Sequence, residues 1–262
     1  MNNYTKIKIS LLILILIFLI FKLKDLLLDL LTPIEEFLKA AENGNLKKIK
    51  SMLNKEVNIK TLINAVDKEN NTALILASKF GYHEIVKILI ENGADIDAKN
   101  NENSTALIEA SSFYYETVKI LIENGADINA KDSGGTTALM NAATEDDNYE
   151  ICKTLIENGA NVNDKDSQGA NALIYGSTFL KWDLSIIKLL IDSGIEINAQ
   201  DKNGYTALME ATISGNYETV KLLIENGADI NIKNNDGKTA LDYAEENDYK
   251  NIIELLKNSI DK

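Results

Sequence analysis

The chain has 262 residues, 45% hydrophobic and 26% charged, with one proline and few aromatics. That is enough apolar material for one or two cores, and it argues against an all-β fold dense in turns. The net charge is −13 and every basic residue is lysine; an acidic chain repels phosphate backbones, so nucleic acid is not an expected partner. The single cysteine, Cys152, and single histidine, His83, exclude an internal disulfide, most metal sites and Cys–His catalytic pairs, and no cofactor is expected.

The first feature along the chain is an uncharged run of thirteen residues, Ile9 to Phe21, preceded by Lys6 and Lys8. A membrane span takes about 20 apolar residues and a secretory apolar region about 7–15. The following Phe21-Lys22-Leu23-Lys24-Asp25 is not a small-residue cleavage site. Leu23, Leu26, Leu27 and Leu30 continue at helical spacing. The pattern predicts one helix over about residues 5–31. Its first half enters a bilayer, and Lys22 and Lys24 reach back to the interface. This is an uncleaved signal-anchor, a membrane association whose side is open. The alternatives are a removed signal peptide, leaving a secreted protein, and a helix packed on the rest of the chain. Residues 1–32 hold four lysines against two aspartates, so the segment carries +2 and the remainder −15.

Thr32-Pro33-Ile34-Glu35 then reads as a capping box with proline at the first helical position. It opens a weak first unit through Asn54. Beyond it a triplet recurs: Thr72-Ala73-Leu74, Thr105-Ala106-Leu107, Thr137-Ala138-Leu139, Asn171-Ala172-Leu173, Thr206-Ala207-Leu208 and Thr239-Ala240-Leu241, at spacings of 33, 32, 34, 35 and 33. A second refrain, Glu91-Asn92-Gly93-Ala94-Asp95 and its counterparts, lies between the triplets. The threonine is a good N-cap. A short helix follows, then a turn, then a helix from about His83 to Asn92 with Ile85, Val86, Leu89 and Ile90 at core spacing. Gly93 falls where a left-handed helix end takes glycine, and a polar loop or hairpin leads to the next triplet. Small residues on the first helices, such as Ala77, Ala110 and Ala211, allow close helix approach. One unit buries too little surface alone, so stability comes from stacking. From Asp95 to Thr105, and in each later unit, the distance is ten residues. Length changes therefore sit in the turn between the two helices. That turn is one residue short at Tyr114-Tyr115, one long at Asp146–Tyr149 and two long at Phe179–Ser185, which contains Trp182.

The period, the Thr-x-Leu start and the Gly-Ala-Asp refrain resemble the ankyrin-repeat family over residues 33–259. The resemblance implies an all-α solenoid of about seven stacked helix-turn-helix units with hairpin-like loops, behind a hydrophobic helix over 1–32. Two family features are missing. The proline after threonine is alanine in every unit. The histidine after leucine is Ile75, Ile108, Met140, Ile174, Met209 or Asp242, so the hydrogen bonds it makes between repeats must be lost or replaced.

Members of the family bind proteins through a concave side made of loop tips and the exposed face of the first helix. The resemblance therefore points to Phe80, Phe113, Tyr175 and Phe179 on that helix and Tyr205 at a loop tip, with Trp182 in the inserted turn, as partner-contacting residues. Exposed aromatics are typical interface anchors. The expected function is a monomeric, non-enzymatic module binding an unidentified protein and held at a membrane by residues about 5–31. A structural or self-associating solenoid is the alternative. Cys152 is expected as a buried small hydrophobe, and His83 and the adjacent acids Asp146-Asp147 and Glu245-Glu246 as solvated. The Asn- and Asp-rich tips lack the pattern of a calcium loop, so no metal is expected.

Overall fold

The computed structural model describes residues 3–54, 59–179 and 184–260. Among these residues the named elements are all helices, and β-pairing is confined to an isolated antiparallel bridge between Val66 and Thr72. The helices are α1 (Asn3–Glu42), α2 (Leu46–Leu53), α3 (Ile59–Ile63), α4 (Ala73–Lys79), α5 (His83–Glu91), α6 (Ala106–Ala110), α7 (Tyr115–Glu123), α8 (Ala138–Ala142), α9 (Tyr149–Glu157), α10 (Ala172–Phe179), α11 (Ser185–Asp192), α12 (Ala207–Ile213), α13 (Tyr217–Glu225), α14 (Ala240–Glu246) and α15 (Lys250–Ile260).

Each triplet starts a helix as its chemistry dictates. The Thr72 hydroxyl accepts from the Ile75 amide at 3.2 Å, and Thr105, Thr137, Asn171 and Thr206 do the same for their own first turns. Thr239 goes further and forms a full capping box with Asp242. Its amide donates to the Asp242 carboxylate at 2.7 Å and its hydroxyl at 2.8 Å. Those bonds hold Asp242 below the ordinary carboxylate range. The second helices end on a Schellman motif: Ala94 N–H donates to the Leu89 carbonyl at 3.0 Å and Gly93 N–H to Ile90 at 2.9 Å. Gly93 sits at φ +86°, a conformation open to glycine.

The pairs stack in two layers. In one layer α1, α4, α6, α8, α10, α12 and α14 pack in succession; in the other, α5 packs on α2 and α7, α9 on α7 and α11, and α15 on α13. Between them lies one continuous core of Leu74, Ala77, Val86, Leu89, Leu107, Ala110, Val118, Leu121 and their counterparts. The small residues of the first helices are fully buried, which is what brings neighbouring helices together.

Two rows of hydrogen bonds tie the repeats outside this core. The amides of Asp95, Asp127, Asn161, Glu196 and Asp229 each donate to a side-chain oxygen of the preceding repeat, on Asn64, Asp97, Asn129, Asn163 and Asn198, at 2.7–2.9 Å. Three of these acceptors also reach forward with their own side-chain amide, Asn129 to the Gly159 carbonyl, Asn163 to Gly194 and Asn198 to Gly227. At the loop tips the amides of Asn101, Ser133, Ser167, Lys202 and Asn235 donate to carbonyls of the preceding tip at 2.7–3.0 Å. Each tip is itself a side-chain-closed turn; Asp166, for example, accepts from the amides of Gln168 and Ala170, both at 2.8 Å.

The turns between paired helices are held differently. Gly81, at φ +70°, lies directly under the ring of Tyr114 from the next repeat, and any β-carbon there would collide with it. Tyr82 covers Gly44 in the same way, and Tyr249 lies over Gly215 at a looser distance.

One expectation for the amino-terminal part is corrected. The break at Thr32-Pro33 is absent, because α1 runs unbroken through Pro33 to Glu42. Pro33 has no amide to offer the turn before it, yet the helix continues because Phe37, Leu38, Ala40 and Ala41 are buried beyond it. Among the described residues no helix is long and apolar enough to cross a membrane. The uncharged run of thirteen residues extends about 20 Å at 1.5 Å per residue, against a hydrocarbon thickness of about 30 Å.

Asp97 occupies the one position in the row from Asp97 to Asn198 where the forward-reaching amide is missing. Asp97→Asn keeps the acceptor for Asp127 and adds a donor toward the Gly125 carbonyl. It should raise stability by about 0.5–1.5 kcal/mol, read as a higher urea midpoint at unchanged slope.

Candidate protein-binding face

The aromatic residues singled out above that lie among the described residues form separate groups, each in a different repeat environment. Tyr175 and Phe179, one turn apart on α10, stack with ring centroids 6.5 Å apart and planes 23° apart. Phe179 is 53% exposed. The Tyr175 hydroxyl donates to Asp166 at 2.9 Å, which fixes the ring against the tip. Burial and then this bond push the phenol up to about 12, so it stays a neutral donor.

Tyr205 instead pairs with the next repeat. Its hydroxyl shares a 2.8 Å hydrogen bond with that of Tyr243, and their rings are 5.8 Å apart. Asn234 donates to the Tyr243 hydroxyl at 2.7 Å, and Lys238 sits 5.3 Å over the Tyr243 ring while bridging to Glu246. The bond to Tyr243 and then burial push Tyr205 up to about 12.

Phe80 and Phe113 lie beyond their helices. Phe80 is the residue that closes α4, and Phe113 stands in the turn after α6, which ends at Ala110. Each leans on the next tyrosine of its own turn, Tyr82 or Tyr114, at 6.2 Å, and both are exposed. Trp182 lies outside the described residues.

Between α10 and α12 the face carries a polar bridge that the sequence did not single out. The Thr178 hydroxyl contacts both the Ile174 carbonyl and the Glu210 carboxylate, at 2.8 and 3.3 Å, and the Ser214 hydroxyl donates to the Thr178 carbonyl. Burial holds Glu210 above the ordinary carboxylate range, the Thr178 bond only partly opposing it.

The remaining chemistry-bearing side chains are placed as follows. Cys152 is fully buried in α9, where burial pushes its thiol up to about 12, far from a reactive thiolate. His83 is exposed at the start of α5. Glu245 and Glu246 are exposed but paired with Lys257 and Lys238. Among the described residues no group of three or more His, Cys, Asp or Glu side chains is placed to hold a metal ion.

The profile of the family described as "Ankyrin repeats (3 copies)" matches residues 37–132, 107–201 and 177–262, overlapping windows that run the length of the solenoid. The chain is an ankyrin-repeat protein. A stretch of 39 residues is also 54% identical to the Acyl-CoA-binding domain-containing protein 6 homolog of Dictyostelium discoideum, covering 15% of this chain and 14% of that protein. Ankyrin repeats are protein–protein interaction scaffolds and generally non-catalytic. This ankyrin array lacks the family's histidine, and among the described residues the Asn and Asp row on the loops ties neighbouring repeats. The signal for that row was present in the recurrence of Asn or Asp two residues after the Gly-Ala-Asp refrain.

Because Glu210 is raised, its ionised form is disfavoured in the folded state, and the resulting destabilisation is present above its folded pKa and vanishes below the unfolded one. Glu210→Gln should therefore raise the melting temperature at pH 7, with the gain disappearing toward about pH 4.

Proposed function

We propose that this chain is a non-enzymatic scaffold that grips a partner protein on the face shared by its first helices and loop tips, and that residues about 5–31 hold it at a membrane by shallow insertion. Counting the end of α1 with α2 as a terminal unit, the repeat domain comprises seven units over residues 33–259.

The observation that carries the binding reading is the Tyr175–Phe179 stack. It is a rigid aromatic pair on an inner helix, fixed by Asp166 and open to solvent at Phe179. Preorganised aromatics that need no reordering on association are what interface anchors require. The array around it is tied by two rows of hydrogen bonds, so the surface is presented without a folding cost.

Membrane attachment is supported by the solvent exposure of Leu16, Ile17, Phe18, Leu19, Ile20 and Leu23, all between 44% and 62%. Six exposed apolar side chains within eight helical positions point around the helix, not to one seam. A helix of this kind needs an apolar medium on all sides. Lys22 sits 5.8 Å over the Phe18 ring, placing a cation where the apolar run stops. The length of that run fits entry to part of the bilayer depth.

Two measurements test the proposal. A photo-crosslinking residue at position 179 should capture a protein that one at position 119, on an outer helix, does not, and Tyr175→Ala should reduce that adduct several-fold. Equal capture from both positions sinks the assigned face. Full-length protein should float with phosphatidylcholine vesicles, and Leu16→Glu with Ile20→Glu should abolish flotation, since each charge costs about 2.5–3.5 kcal/mol in the apolar layer. Unchanged flotation removes the membrane role.

A further inference from the structure

Two of the three turns of altered length are neighbours, and they leave a cleft between them. The turn before α7 lacks the glycine that precedes α5, and the turn before α9 carries Asp146 and Asp147 in its place. The tyrosine-over-glycine contact seen at Gly81 and Gly215 therefore has no counterpart here. Buried Asn148 spans the interface instead, its side-chain amide donating to the Ser112 carbonyl at 2.7 Å and to Ala142 at 3.2 Å. Above that floor opens a cleft of about 410 Å³, walled by Phe113, Tyr115 and Ile151 and rimmed by Glu145, Asp147 and Glu150.

The walls and the rim call for the same kind of occupant. Phe113 is 64% exposed, more than any other large hydrophobic side chain among the described residues. Glu145, Asp147 and Glu150 form no ion pair with any described lysine. Among the described residues these acids do not converge to hold a metal ion. An apolar, aromatic wall ending in a carboxylate rim suits an extended cation, with an aliphatic stem along the rings and a charged head at the rim.

We propose that this cleft receives a lysine or arginine side chain from a basic segment of the partner protein. The inference rests on the scaffold reading and adds the partner's charge to it. A net charge of −13 draws such a segment in, and the cleft gives one of its side chains a defined seat.

The test uses the full-length chain and fluorescein-labelled hexalysine and hexaarginine, followed by anisotropy at about 0.15 M salt, where charges beyond about 8 Å are screened. Phe113→Ala, which leaves the charge unchanged, should weaken binding of at least one probe by about three- to ten-fold. Phe113→Tyr should stay within about two-fold of wild type, because the ring is kept. Asp147→Asn with Glu150→Gln should cost about ten-fold, while Glu91→Gln with Glu123→Gln, the same charge change at the ends of outer helices, should cost less than about two-fold. Wild-type affinity in Phe113→Ala, loss in Phe113→Tyr equal to that in Phe113→Ala, or equal losses in the two charge pairs overturns the cleft. Crosslinking from position 179 reports separately on the scaffold reading: capture that persists while the cleft variants bind normally keeps the scaffold and removes only the cleft.

Discussion

The interaction on which the structure depends is the one by which each loop amide finds its acceptor in the repeat before it. A peptide N–H withdrawn from water without a partner costs about 1–3 kcal/mol, and a loop of ten residues between two helices has few internal partners to offer. Here the preceding repeat supplies them, through Asn64, Asp97, Asn129, Asn163 and Asn198 on one row and through tip carbonyls on the other. Folding of one unit is thereby conditional on its neighbour, and the small residues between the first helices make the apolar layer conditional in the same way. The array behaves as one body because no unit is complete.

That dependence explains the pattern of length variation. The segment from Asp95 to Thr105 and its counterparts is pinned on two sides, at the amide after the Gly-Ala pair and at the tip, so adding a residue would break both rows at once. The turn between paired helices is held mainly by a tyrosine lying over a glycine, a contact that can be lost and replaced locally. Asn148 makes such a replacement, and the irregular surface of the molecule lies where it does.

Much of this architecture was legible in the sequence, and what was not had a physical reason. The threonine caps, the glycine helix ends and the buried face of the second helices are local matters that a single repeat spells out. The loop row was hidden because a side-chain oxygen accepting from another repeat leaves no local trace beyond an Asn or Asp, and those residues are equally at home on any turn. The unbroken α1 was misjudged because Thr32-Pro33-Ile34-Glu35 has every residue a helix start prefers. The burial of Phe37, Leu38 and Ala41 beyond Pro33 overrides a local preference worth a few kcal/mol. Phe113 was placed on a helix by analogy with Phe80, but α6 stops at Ala110, and a turn shortened by one residue leaves the ring standing free of the layer.

The rows of loop hydrogen bonds also give the solenoid a direction. The backbone amides of both rows point toward the amino terminus, and the forward-reaching donors are side-chain amides of Asn129, Asn163 and Asn198, so the two ends of the stack are chemically unlike. The carboxyl end finishes in carbonyl and side-chain oxygens, which water satisfies readily, whereas an amino end cut within the array would present unpaired amides, the less tolerated orphan. Such a stack can gain or lose whole units at its carboxyl end, while its amino end requires a dedicated first unit, a place that α1 and α2 occupy.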